Sequence, residues 1–148
     1  YVPLIYCKER VMVNDSVYII PNTDLFVFGL LSSSMHNAWV RMFCGRLDMR
    51  IRYSNILCYK NFPFPEDITT EQKENIARLA ARILELRINY KAQPLGNVYN
   101  YLPPELLLAH INLDKAVEKL YGEQLFFNDD ARLKVLIKLF NKQRTGSP

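Results

Sequence analysis

The stretch Asn61-Phe62-Pro63-Phe64-Pro65-Glu66 divides this sequence into two textures. Two prolines with aromatics between them fix φ and withhold backbone donors, so the segment predicts a rigid, extended connector. Before it the pattern is mixed. After it the apolar residues recur at helical spacing.

In the first part, Val2–Tyr6 and Ser16–Ile20 are rich in β-branched and aromatic residues, which predicts short strands around an Asn14-Asp15 turn. Pro21-Asn22-Thr23-Asp24 breaks that pattern, and Thr23 or Asp24 is placed to cap a helix starting at Leu25. The triplet Ser32–Ser34 interrupts it. Met35, Ala38, Trp39, Met42 and Phe43 then mark a second helix to about Cys44, which Gly45 can end. From Arg46 the residues alternate: Leu47, Met49, Ile51 and Tyr53 on one parity, Arg46, Asp48, Arg50 and Arg52 on the other. Period two predicts a strand with one buried face, here extended to about Tyr59.

In the second part, Thr69 and Gln72 have capping-box spacing before a long amphipathic helix marked by Ile76, Leu79, Ala80, Ile83 and Tyr90. Pro94–Asn97 reads as a loop. Pro103-Pro104 start a short helix through His110, a further helix carries Leu113–Tyr121 and stops at Gly122, and Asn128 caps the last. The expected fold class is therefore α+β: short strands and two helices over residues 1–65, then an all-helical tail of about four helices over residues 66–148.

At 148 residues, 49% hydrophobic and 23% charged, the chain can bury a core without staples. Cys7, Cys44 and Cys58 are far apart with no C-x-x-C spacing, and His36 and His110 are the only histidines, so a zinc site is not expected and reduced cytosolic thiols are. The run Leu25–Leu31 is far too short to cross a bilayer. The chain opens on Tyr1 without a methionine or a leader pattern and reads as a piece of something longer.

Charge is unevenly placed. Between Arg41 and Lys60 stand five basic residues (Arg41, Arg46, Arg50, Arg52, Lys60) against Asp48, which matches the whole net charge of +4. From Glu66 onward, twelve basic and eleven acidic residues nearly cancel. A local basic patch points to a polyanion partner; the plainer reading is a solvated strand face.

Two catalytic lookalikes fail. Asn61-Phe62-Pro63-Phe64 lacks the first proline of an amino-methyltransferase loop, and five glycines give no cofactor-binding fingerprint. Pro65-Glu66-Asp67 with Glu71-Gln72-Lys73 imitates a metal-dependent nuclease signature, but these residues belong to a proline turn and a helix start, where acids suit the macrodipole. His36 has no Cys or Asp neighbour in sequence to orient it. No catalytic residue, cofactor site or metal site is expected in these residues.

The stretches "FVFGLLSSSMHNAWVRMFCGRL", "RYSN" and "YKNFPFPE", followed by "LPPELLLAHINLDKAVEKLYG" and "NDDARLKVLIKLF", resemble the C-terminal part of the MmeI-like single-chain type IIG/IIL restriction–modification enzymes. The resemblance runs from about Ile19 to Phe140. It implies the end of a DNA target-recognition domain plus a helical C-terminal domain. The adenine-N6 methyltransferase and nuclease domains, with S-adenosylmethionine and Mg²⁺, would lie upstream in the same chain, in the bacterial cytoplasm. The implied partner is double-stranded DNA, and no membrane is involved.

By the same resemblance, Asp48 and Arg50 occupy positions that look base-specifying. The chemistry is sensible: a carboxylate accepts from cytosine N4 and an arginine forks onto guanine O6 and N7, so the two together suit one C·G pair. The competing reading pairs Asp48 with Arg46 or Arg50 on an exposed face, a contact worth only ~0–1 kcal/mol. Arg41, Arg46, Arg52 and Lys60 are expected on phosphates, with Ser54 and Asn55 as further donors. Tyr53 and Trp39 read as core. The alternative function is a helical protein-interaction or scaffold module with no base reading.

Overall fold

The structure, a computed structural model, describes residues 1–7, 17–47, 50–122 and 126–145, and for residues 46, 47 and 50–52 the backbone. The α+β expectation is corrected: the molecule is helical, and the β structure among the described residues is a single pair of three-residue strands. Residues 2–6 and 17–20 form no strand; Asn14, Asp15 and Ser16 lie outside the described residues. The reason is visible at the N-terminus. Val2 N–H donates to Asn37 Oδ1 at 2.6 Å and Leu4 C=O accepts from Arg87 Nη1 at 2.7 Å, so side chains of the helices take the hydrogen bonds a neighbouring strand would have offered. β-propensity here reported packing against a half-buried surface, not sheet.

Asp24 caps α1 (Leu25–Ser32), its carboxylate accepting from Val27 N–H at 2.8 Å. Ser33 then ends α1 and caps α2 (Ser34–Phe43), as the serine triplet predicts. Two short strands and a π-helix follow before the proline connector. Beyond it, α3 (Thr70–Ile88) opens on the expected capping box: Gln72 N–H to Thr69 Oγ1 at 3.2 Å, Thr69 N–H to Gln72 Oε1 at 2.9 Å. The expected loop at Pro94–Asn97 instead begins a one-and-a-half-turn helix, α4 (Leu95–Asn100). The two helices expected between Pro103 and Gly122 are one, α5 (Pro104–Glu118). Leu106, Ala109, His110, Leu113 and Val117 form an unbroken buried stripe, and no Gly or Pro interrupts it. Asn128 caps α6 (Asp129–Thr145), accepting from Ala131 N–H at 2.9 Å.

One core crosses the connector. Leu30, Leu31, Met35 and Trp39 from the first part pack with Phe62, Ile76, Ile83, Leu106, Leu113 and Leu136. α1 lies on α3, α3 on α5 and α2 on α6. The α1–α3 approach needs Gly29, where a Cβ would meet Ile76 Cγ2 at 2.7 Å and Ala80 Cβ at 3.3 Å.

Cys44 and Cys58, far apart in sequence, are brought side by side, with their Cα atoms 6.2 Å apart. They bracket the two strands and pack around Val40. Cys7 is exposed and apart from them.

Candidate nucleic-acid interface

The alternating run does not make one strand. β1 (Gly45–Leu47) pairs antiparallel with β2 (Arg50–Arg52) in the register Gly45↔Arg52, Arg46↔Ile51, Leu47↔Arg50. The chain therefore reverses between Leu47 and Arg50. This register sets residues of opposite parity opposite each other, so the alternation that predicts one continuous strand face does not carry through the reversal. The arginines assigned to one strand face are divided, Arg46 on β1 and Arg50 and Arg52 on β2. Asp48 lies outside the described residues, so its predicted sharing of a face with Arg50 is left without its premise.

Nor does the strand continue to Tyr59. Residues Asn55–Lys60 form a π-helix, with Ser54 at its N-cap accepting from Leu57 N–H at 3.3 Å. Ser54 thus has a structural task. Asn55 and Lys60 are exposed at the two ends of that short helix. Arg41, at the C-terminal turn of α2, is bound to Asp129 at the start of α6 through Nε at 2.8 Å and Nη2 at 2.7 Å. It fastens α6 to α2 beside the hairpin. Tyr53 is half-buried against Val40, Cys44 and Cys58, as its parity predicted.

What fixes the hairpin to the body is a pair of α2 side chains: Trp39, read from the sequence as core, and His36, which the sequence leaves without a role. His36 and Trp39, one helical turn apart, are fully buried. Trp39 Nε1–H donates to Leu57 C=O at 2.9 Å. His36 Nε2 lies 3.0 Å from Cys58 C=O and 3.2 Å from the Tyr53 hydroxyl, while Nδ1 lies 2.8 Å from Leu31 C=O. Both π-helix carbonyls need such partners. Asn61 N–H turns back to Ile56 C=O and Phe62 N–H to Tyr59 C=O, and Pro63 has no N–H at all. The signal was therefore present in the sequence: a proline five residues after Cys58 and two buried-type donors three apart on one helix. Burial holds His36 down at about 4 despite the two carbonyls. Burial pushes the Tyr53 hydroxyl up to about 12, so it is a proton donor at neutral pH.

A second charged cluster lines a cleft of about 500 Å³ between α2, α5 and α6. Its charges already answer one another. Arg132 Nη2 meets Glu118 at 2.7 Å, Ser34 N–H donates to Asp114 Oδ1 at 2.7 Å, and the Tyr1 hydroxyl donates to the other oxygen of Asp114. Asp114 is held above the ordinary carboxyl range, chiefly by burial. The cluster ties three helices together. Among the described residues no group of three or more His, Cys, Asp or Glu side chains is arranged to hold a metal, and no helix is long and apolar enough to cross a membrane.

Residues 1–66 match the family model described as MmeI, target recognition domain, and residues 68–146 that described as MmeI, C-terminal domain. DNA methyltransferase A of Bacillus subtilis (strain 168) is 36% identical over 144 residues, which is 96% of this chain and 16% of that protein. The solved structure of the type IIL restriction–modification enzyme MmeI in complex with DNA superposes with a TM-score of 0.79 at 40% identity, covering 85% of this chain and 17% of that one. The chain thus spans a small part of the length of either relative. It belongs to the MmeI family, whose target recognition and C-terminal models it matches in sequence order.

Proposed function

We propose that this chain recognises a specific sequence in double-stranded DNA on behalf of a larger restriction–modification enzyme. The observation that carries this reading is the likeness, over 85% of the chain at 40% identity, to MmeI as solved with DNA. In this reading residues 1–65 face the DNA and residues 66–148 brace them through the shared core. Asp48 and Arg50 read one C·G pair, Asp48 taking cytosine N4 and Arg50 guanine O6 and N7. Arg46, Arg52 and Lys60, with Asn55, touch phosphates and set the register. Arg41 and Ser54 serve the same surface indirectly, one by fastening α6 and the other by capping the π-helix. Methyl transfer from S-adenosylmethionine and Mg²⁺-dependent cleavage belong to other parts of the full-length protein, in the bacterial cytoplasm.

The decisive experiment selects duplexes bound by the full-length protein from a random-sequence library, with and without the paired exchange Asp48→Lys, Arg50→Asp. One motif position is expected to switch from C to G, with roughly ten- to hundredfold discrimination at that position. An unchanged motif in an exchanged protein that still binds would remove these two residues from the reading.

Salt separates DNA recognition from the scaffold alternative. With three or more phosphate contacts, log affinity should fall against log salt with a slope of about −3 or steeper. A flat response, with helices docking another protein, would favour the scaffold.

A further inference from the structure

We propose that His36 is a positioning residue for DNA reading: through Nε2 it holds the chain leaving β2, and so fixes where Arg50 is presented. This rests on the proposed base recognition by the hairpin.

A neutral imidazole has one N–H and one bare nitrogen, so His36 cannot serve both carbonyls it faces. With the proton on Nε2, it donates to Cys58 C=O, 3.0 Å away. With the proton on Nδ1, it donates to Leu31 C=O at 2.8 Å, and Nε2 accepts from the Tyr53 hydroxyl at 3.2 Å. With the proton on Nδ1, Nε2 grips Tyr53, the residue just after β2; with the proton on Nε2, it grips the π-helix that follows. Phe62, edge-on to the ring at 4.9 Å, keeps it from turning away.

Tyr53 follows Arg52 directly and stands three residues from Arg50, about 10 Å along an extended chain. A displacement at Tyr53 is carried along that strand to Arg50. A forked arginine contact tolerates only about 0.5 Å of error. Trp39 holds the neighbouring Leu57 C=O from the same helix, so a changed His36 leaves the π-helix carbonyls with one of their two α2 side-chain partners. His36 never approaches the DNA in this arrangement, being wholly buried.

The test uses the full-length protein and the same random-sequence duplex library. Glutamine can place an amide near Nε2, asparagine places one near Nδ1, and methionine has glutamine's shape without its hydrogen bonds. His36→Gln is expected to keep discrimination at the Arg50 position. His36→Asn and His36→Met should each lose roughly tenfold there while phosphate-dominated binding, read as the salt slope, stays put. Asn and Met remove the Nε2 contacts by different routes, so if one fails to fold the other decides. Unchanged discrimination in either folded variant overturns the proposal, since a purely structural histidine would cost stability alone. Arg50→Ala in the same assay tells the two failures apart. If it too leaves the motif unchanged, base reading by the hairpin is wrong and His36 has nothing to position. If it abolishes that position while His36→Asn does not, only the role of His36 falls.

Discussion

Replacing Trp39 with alanine is expected to lower the unfolding free energy of this chain by about 3–5 kcal/mol. The indole is wholly buried and bridges three parts of the fold. Its ring stands 4.2 Å from Phe43 on α2, 6.3 Å from Phe62 in the connector and 5.6 Å from Phe140 on α6. Alanine removes that apolar volume and, with it, the only indole N–H, which holds Leu57 C=O at 2.9 Å. Trp39→Phe separates the two effects. It keeps most of the packing and leaves the carbonyl without its donor, which costs about 1–3 kcal/mol. Urea denaturation of both variants measures the difference. A cost below about 1 kcal/mol for alanine would mean that α6 and the connector are not docked on α2 as described.

That one side chain joins both halves of the sequence explains which parts of the fold were legible and which were not. The caps were legible because they are local chemistry. Asp24, Thr69 with Gln72, and Asn128 each act within three residues of their own position. The break at the prolines was legible for the same reason. The strand predictions failed because residues such as Val2 and Leu4 satisfy their backbone through Asn37 and Arg87, partners 35 and 83 residues away. Propensity cannot see such partners. Splitting α5 in two was a different error: punctuation was supplied where the sequence carries none.

At the candidate interface, residue types were legible and geometry was not. A basic cluster among alternating residues marks a surface segment whether it lies flat or folds back, and the structure folds it back between Leu47 and Arg50. Arg41 shows the limit of counting charges. Its guanidinium is held by Asp129, a residue 88 positions later that local charge patterning leaves out. His36 shows the opposite limit. Read alone it lacked any orienting neighbour, because its partners, two backbone carbonyls and the Tyr53 hydroxyl, are brought to it by the fold.

Acidification from pH 7 to 4 should destabilise the fold with a slope approaching two protons, about 2.7 kcal/mol per pH unit at its steepest. The two histidines supply it. Burial lowers His36 from 6.5 to about 4, and burial followed by the Arg87 charge lowers His110 from 6.5 to about 3. His110 is held neutral by a directed relay. Arg87 Nε donates to the Tyr99 hydroxyl oxygen at 2.9 Å, so the Tyr99 proton points to His110 Nε2 at 2.7 Å. Protonating Nε2 would break that bond and set a cation beside Arg87. For a group depressed on folding, the unfolded chain takes up the proton first. Stability is therefore whole above pH 6.5 and falls as pH drops, until about 4 for His36 and about 3 for His110. Asp114 works the other way. Its carboxyl is raised by burial, so the folded state binds that proton first and the loss becomes shallower as the buried acid titrates. The steep part should consequently lie below pH 6 and above the range where Asp114 takes up its proton. Urea denaturation at half-unit pH steps measures the slope, and His36→Gln and His110→Gln should each remove one proton from it. A flat profile between pH 6.5 and 5 would mean that neither imidazole is buried neutral, and the hydrogen-bond roles given to both rings would have to be reassigned.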